Sequence, residues 1–410
     1  MRRGLALGIA ALALAPIVAL AQTFDPKAPA TFVVGAPNGP TSTDRFDARR
    51  SGDSPVPLPK GRLKTLWHHT FGASIEHAPL VVGSDIVLVA GRGDVAFLDV
   101  TDGSELARVS IGAGSSGPPT ALSDGTIVVV ASSGLAIGVK KTGVVFRTRV
   151  GGEPSILGHI SPLSLDDGGV VIATGTELDV LDARGGIRAR ASLPEEIDGA
   201  LLAARGRIIA VADSGVVYAW TPGRDAERIG NFGSRVVGGA TLADPSTLLA
   251  VVEGARLLSL DIDKGIVVPR AVSSGFLFIG PVAMRGASAL MLAKGVRGAS
   301  VLAFDRSGEM EQTPVTSSPL SVLSDGGVAG PTVGSHAPLV VDGSGAVAFS
   351  IEDDVGVVAS DGTVSRVDGT VCRSRSADVL GLAPITGAPG DPAFVIACDD
   401  GALALIAERR

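Results

Sequence analysis

The sequence predicts an all-β fold, an eight-bladed β-propeller of four-stranded antiparallel blades, with seven blades as the alternative count. Three observations predict it. A strand, turn, strand motif recurs about every 40 residues, and four short strands in a unit of that length is the signature of a propeller blade. The apolar runs inside the motif are nearly continuous rather than alternating, as expected of a small sheet whose two faces both pack against neighbours. The 55 glycines and 45% apolar content describe many buried strands joined by tight turns, and no stretch holds a 3.6-residue period over a helix's length.

The chain opens with Arg2 and Arg3, an apolar run from Leu5 to Leu20, and Ala19-Leu20-Ala21 before Gln22. Charge, apolar core and small residues in that order form a secretory signal peptide over residues 1–21, with cleavage near Ala21. Pro16 interrupts the run, and no later segment offers the roughly 20 apolar residues that a membrane span needs, so the mature chain is expected to lack a transmembrane anchor. No cysteine follows the cleavage signal to carry a lipid, and the arginine pair lacks the rest of a twin-arginine signal. A periplasmic or secreted protein is therefore expected. Residues 22–61 hold seven prolines and read as an extended, partly disordered lead-in. The propeller is expected over 62–410.

Within it the motif opens on a small residue or proline at Pro79, Pro119, Pro162, Ala200, Ala240, Pro281, Pro338 and Pro384. A second apolar run follows each opening, from Ile86–Ala90 in the first copy to Phe394–Cys398 in the eighth. A third strand closes on an acidic or polar turn and a glycine, as at Asp99 to Gly103, Asp182 to Gly185 and Asp261 to Gly265. The aspartate side chain caps such a turn, and glycine supplies positive φ without steric cost. A fourth, more polar strand follows, as in Leu106–Ser110 and Ile187–Ala191, and its charges suit an edge that faces water. Glu309 to Gly330 reads as a surface-loop insertion in the sixth copy. The eighth copy ends after three strands, and Leu63–Thr70 matches the missing fourth. The N-terminal strand is thus expected to complete the C-terminal blade and remove the open edges.

Loss of the leader, with two arginines and no acid, moves the formal charge from -7 to -9. That argues against nucleic acid, whose phosphates require clustered cations. A 4% aromatic content leaves little for stacking platforms. Three of the five histidines, His77, His159 and His336, share one repeat position before the innermost strand, which gathers them at one mouth of the central channel. They are the candidates for a metal or ligand site, since neutral imidazole is a common ligand, but blades one, three and seven are not adjacent, and lining of a wet channel is the competing reading. Glu352-Asp353-Asp354 and Asp399-Asp400-Gly401 lack the alternate spacing of a calcium loop and read as turns. His68 and His69, adjacent on a strand, point to opposite faces and do not chelate together. Cys372 and Cys398 are the only cysteines; in an oxidising compartment they form one disulfide or remain two buried thiols. No residue set forms a catalytic or cofactor-binding site.

The turns Leu98-Asp99-Val100-Thr101-Asp102-Gly103 and Leu181-Asp182-Ala183-Arg184-Gly185 resemble the Leu-Asp-x-x-Thr-Gly turn of the pyrroloquinoline-quinone-like propeller family. The run Asp47 to Gly52, then Leu66-Trp67, then Ala78-Pro79-Leu80, is similar to the way such chains begin their first blade. The resemblance covers about residues 44–410. It implies a propeller, and with it functions that range from dehydrogenases to assembly scaffolds. The family's enzymes carry an adjacent-cysteine disulfide, a carboxylate base near calcium and a tryptophan near the end of most repeats. This chain has no Cys-Cys pair and no Cys-x-x-Cys-His haem site, and it places Ala107, Arg147, Ala189 and Glu227 where the repeat tryptophan would stand, with Trp67 surviving near one such position. The resemblance therefore implies the non-enzymatic scaffold branch, with no cofactor and a protein partner of the envelope or extracellular space. The alternative is a small-molecule, metal or quinone-binding protein, with oxidoreductase activity, at the channel mouth.

Overall fold

The computed structural model describes residues 45, 47, 49–152, 160–272, 275–295, 297–316, 321–322, 328–329, 338–351, 354–374 and 377–409. Residues 1–44, which include the expected signal peptide, lie outside them. The described chain is all strand and turn, arranged as eight four-stranded antiparallel blades. Blades one to seven occupy residues 80–110, 120–149, 163–192, 197–231, 236–272, 276–316 and 340–366. Blade eight combines Val379–Ile385, Ala393–Cys398 and Ala402–Glu408 with the N-terminal strand Leu63–Thr70. That strand pairs antiparallel with the last one, from Leu63 opposite Glu408 to Thr70 opposite Ala402, so the ring closes as its sequence predicts.

Apolar side chains divide by strand period. In Asp85–Ala90, Val87 and Val89 face blade two, while Ile86, Leu88 and Ala90 face blade eight. The same alternation in every blade produces eight buried clusters, one at each blade-to-blade interface. With both faces buried, the polar alternation of a half-exposed strand vanishes, which accounts for the continuous apolar runs. Turns follow the same logic. Asp182 Oδ1 accepts the N–H groups of Arg184 and Gly186 at 2.8 Å each. Gly185 beside it has φ of +83°, a conformation that a Cβ would strain.

In each blade the first strand lies innermost and the fourth outermost. The first-to-second and third-to-fourth turns share one face of the disc, the turn face. The second-to-third turns and the connections between blades share the other, the connection face. One expectation is corrected: Met310–Thr316, within the segment 309–330 read as a loop, is the outermost strand of blade six, paired with Gly298–Phe304. The inserted residues begin after Thr316, and of these Ser321–Val322 and Val328–Ala329 form a two-stranded pair. Cys372, on the connection from blade seven to blade eight, is disulfide-bonded to Cys398 at the end of blade eight's second strand, with Cα atoms 5.7 Å apart.

Candidate functional site

The innermost strands of a propeller are sheet edges that point a row of N–H and C=O groups at the axis, and these groups require partners. In blades three to seven the partner is the chain's own lead-in. Leu242 N–H donates to Arg49 O at 3.0 Å, Met284 N–H to Ser51 O at 2.8 Å, and Val341 N–H to Gly52 O at 2.8 Å. Asp53–Ser54 then pairs parallel with the innermost strand of blade seven, Val340–Asp342, and Leu58 N–H donates to Asp342 Oδ2 at 2.9 Å. The described part of the segment expected to be partly disordered is thus packed into the ring, with Ser51 fully buried.

Two guanidinium groups extend this contact. Arg50 donates to the carbonyls of Ser161 at 2.9 Å, Pro162 at 3.1 Å and Leu201 at 3.3 Å, joining blades three and four. Arg45 donates to Ala240 O at 3.3 Å and also to Thr241 Oγ1 and Val282 O, joining blades five and six. Five donors in a planar fork suit arginine to bridging several carbonyls at once. Asp47 organises the turn between them, accepting the N–H and hydroxyl of Ser51 at 2.9 Å each and Arg49 Nε at 3.0 Å. Arg45 and Arg50 have φ of 54° and 52°, unusual for residues with a Cβ. Gly52 is obligatory at φ of +70°, because a Cβ there would lie 2.8 Å from Leu339 O.

Of the three channel-mouth histidines, only His77 falls among the described residues; His159 and His336 lie outside them. His77 stands just before the innermost strand of blade one, on the connection face. Ala78 beside it packs so closely on blade eight that a Cβ at Gly381 would lie 2.2 Å from its own. Among the described residues no group of three or more His, Cys, Asp or Glu could hold a metal ion. Asp399 and Asp400 make a turn: Asp399 Oδ1 accepts Asp378 N–H at 3.1 Å, and Asp400 accepts the N–H groups of Ser374 at 2.9 Å and Ala402 at 3.1 Å. Asp354 begins a strand, and Glu352 and Asp353 lie outside the described residues. His68 Nε2 lies 3.2 Å from Val371 O, beside the connection that carries Cys372.

Burial would raise the Asp342 carboxyl, but hydrogen bonds from Leu58, Ser344 and Ala346 outweigh it and hold the group below the usual carboxylate range. Asp53, one residue pair away in the parallel ladder, is pushed up by burial, with Arg49 opposing. Arg45 and Arg50 are the site residues that sequence reasoning did not single out. For Arg50 the signal was present only as the run Asp47 to Gly52, and for Arg45 there was none, because the carbonyls that hold the arginines belong to blades far along the chain.

A second feature is the perimeter. The exposed large apolar side chains among the described residues are Leu106, Val144, Val145, Ile187, Ile266, Val268, Val272 and Met310, and every one lies on an outermost strand. No described helix is long and apolar enough to cross a membrane.

No family model and no curated protein matches the chain. Solved structures do. BamB from Moraxella catarrhalis superposes with a TM-score of 0.57 at 16% identity, over 85% of this chain and 98% of its own. The computationally designed Ika8 protein gives 0.61 at 14% identity, over 84% of this chain and 99% of its own. The quinohemoprotein alcohol dehydrogenase ADHIIG from Pseudomonas putida HK5 gives 0.61 at 10% identity, over 93% of this chain and 83% of its own. All three are less than 25% identical to this chain, and what they share with it is the fold, a β-propeller.

Proposed function

We propose that the chain is an exported, non-enzymatic propeller that binds a protein partner in the cell envelope or outside the cell, through its perimeter. The observation that carries this reading is the placement of the exposed large apolar side chains on outermost strands, among them Val272 at 68% exposure and Ile266 at 53%. Ile266, Val268 and Val272 share one outer strand of blade five, and such an edge strand offers both apolar side chains and backbone groups to a partner strand. The likeness to BamB agrees with this, as do the leader sequence and the Cys372–Cys398 bond, which belong to an oxidising compartment. The inner edges of blades three to seven are taken up by lead-in residues, among them Arg45, Arg50, Gly52 and Leu58.

A photo-crosslinking side chain at Val145, Ile187 or Val268 is expected to trap one discrete protein in an envelope or secreted fraction of the source cells. The same group at Ser344, on a turn, is expected to trap none. Equal trapping at all four positions would remove the perimeter reading. A saturable thermal shift with pyrroloquinoline quinone and Ca²⁺ would favour the oxidoreductase alternative, because a ligand specific to the native state raises its stability.

A further inference from the structure

The geometry points to a binding site for a small aryl monocarboxylate, in a cleft on the turn face between blades five and six. The cleft holds about 190 Å³ and is lined by both blades, and it exceeds the roughly 150 Å³ apolar cavity that takes up benzene. Its floor is Leu249 and Leu257 of blade five with Met284 and Phe304 of blade six, none more than 6% exposed. Alanines at 243, 287 and 289 line the remainder. Three methyl groups where larger side chains would meet leave the space unfilled. A thioether and a ring beside the cavity favour an aromatic body, through sulfur-to-ring and edge-to-face contacts.

The rim carries the chemistry. Arg270 and Arg306 both line the cleft. Arg270 donates through Nε to Ser259 Oγ at 2.8 Å, which leaves its two terminal nitrogens for a ligand. Arg306, exposed on a turn, makes no hydrogen bond or ion pair among the described residues. Guanidinium groups in this state bind carboxylates through paired, charge-assisted hydrogen bonds. Asp244 and Asp305, also on the rim, are held by their own turns. Asp244 Oδ1 accepts the N–H of Ser246 at 2.8 Å and its hydroxyl at 2.9 Å. Asp305 Oδ1 accepts the N–H of Ser307 at 2.8 Å, its hydroxyl at 2.6 Å and Glu309 N–H at 2.9 Å. Locked in place, they do not close the arginines off, and their charge repels a second anionic group. The site therefore selects one carboxylate on an apolar body, over a phosphate or a dicarboxylate. Of its lining only Arg270 lies on an outermost strand, Ile266–Val272 of blade five, and the site stands whether or not the perimeter binds a protein.

The test is calorimetric titration of the full mature chain with phenylacetate and with its neutral isostere phenylacetamide. Saturable binding of phenylacetate is expected, with the amide at least about tenfold weaker, the size of one lost charge-assisted hydrogen bond. Arg306→Gln, on an exposed turn, is expected to weaken phenylacetate by about tenfold and to leave the amide unchanged. Ala289→Leu, which fills the cleft, is expected to abolish both. Absence of saturable phenylacetate binding would overturn the proposal, as would equal affinity for acid and amide or an Arg306→Gln variant that binds as the parent does. Should Ala289→Leu misfold, the Arg306→Gln comparison decides alone.

Discussion

Arg50 reaches three carbonyls on two blades from a left-handed backbone, a conformation that costs about 1–3 kcal/mol and persists only where its surroundings enforce it. Substitution with methionine keeps the apolar stem and removes every donor, so the carbonyls of Ser161, Pro162 and Leu201 lose their charged partner in a buried place. The expected loss is about 3 kcal/mol, since hydrogen bonds to a charged group contribute roughly 1.5–3 kcal/mol and a stranded buried acceptor adds to the deficit. The urea midpoint of Arg50→Met should fall with an unchanged slope, and Arg50→Lys should recover part of it. A midpoint equal to that of the parent would show that the lead-in does not brace the axis. At this scale the sequence was only partly legible. The run Asp47 to Gly52 drew notice through its resemblance to a family, but Arg50 and Ser161 are 111 residues apart, and no local pattern records such a pairing.

Among elements, legibility followed burial. The second and third strands of each blade stood out because both faces are packed, as in Ile127–Ala131, all five residues of which are buried. The outermost strand of blade six was read as loop because Met310–Thr316 is mostly exposed, polar and interrupted by Pro314. Such features are normal for an edge strand, where proline discourages pairing with strangers. The closing strand Leu63–Thr70 was legible by elimination, as the one fourth strand that the last blade lacked. Its removal is the matching prediction. A chain beginning at Phe71 leaves the edge of Ala402–Glu408 without the partner it has in the ring, and also removes Trp67, whose Nε1 donates to Val100 O of blade one at 3.2 Å. Size-exclusion chromatography with light scattering should find this chain in larger assemblies than the full mature chain. An identical mass with an identical unfolding midpoint would mean that the ring does not depend on this closure.

The whole ring is eight similar apolar interfaces with many of its carboxylates set at turns, and this placement sets its response to acid. Carboxylates that cap turns recur around the disc, so one titration acts on many blades together. For Asp124, Asp167, Asp244 and Asp342 burial alone would raise the carboxyl. Hydrogen bonds outweigh it in each and hold the group below its ordinary range, from Lys140 and Thr126, from Arg188 and Gly169, from Ser246 and Thr247, and from Leu58, Ser344 and Ala346 respectively. A carboxyl depressed in the folded state stabilises it fully above the unfolded value, near pH 4, and loses that contribution as the pH falls through the folded value. Asp53, raised by burial, works in the opposite sense, but it is one group against these four. Urea midpoints should therefore be nearly level from pH 7 to about 5 and fall steeply below about 4. Asp342→Asn should lie lower at neutral pH, because Leu58, Ser344 and Ala346 lose a charged acceptor, and should fall by less on acidification, because one of the linked protons is gone. A midpoint that rises between pH 5 and pH 3, or an Asn variant with the parent's full acid slope, would place the acid sensitivity outside the turn carboxylates.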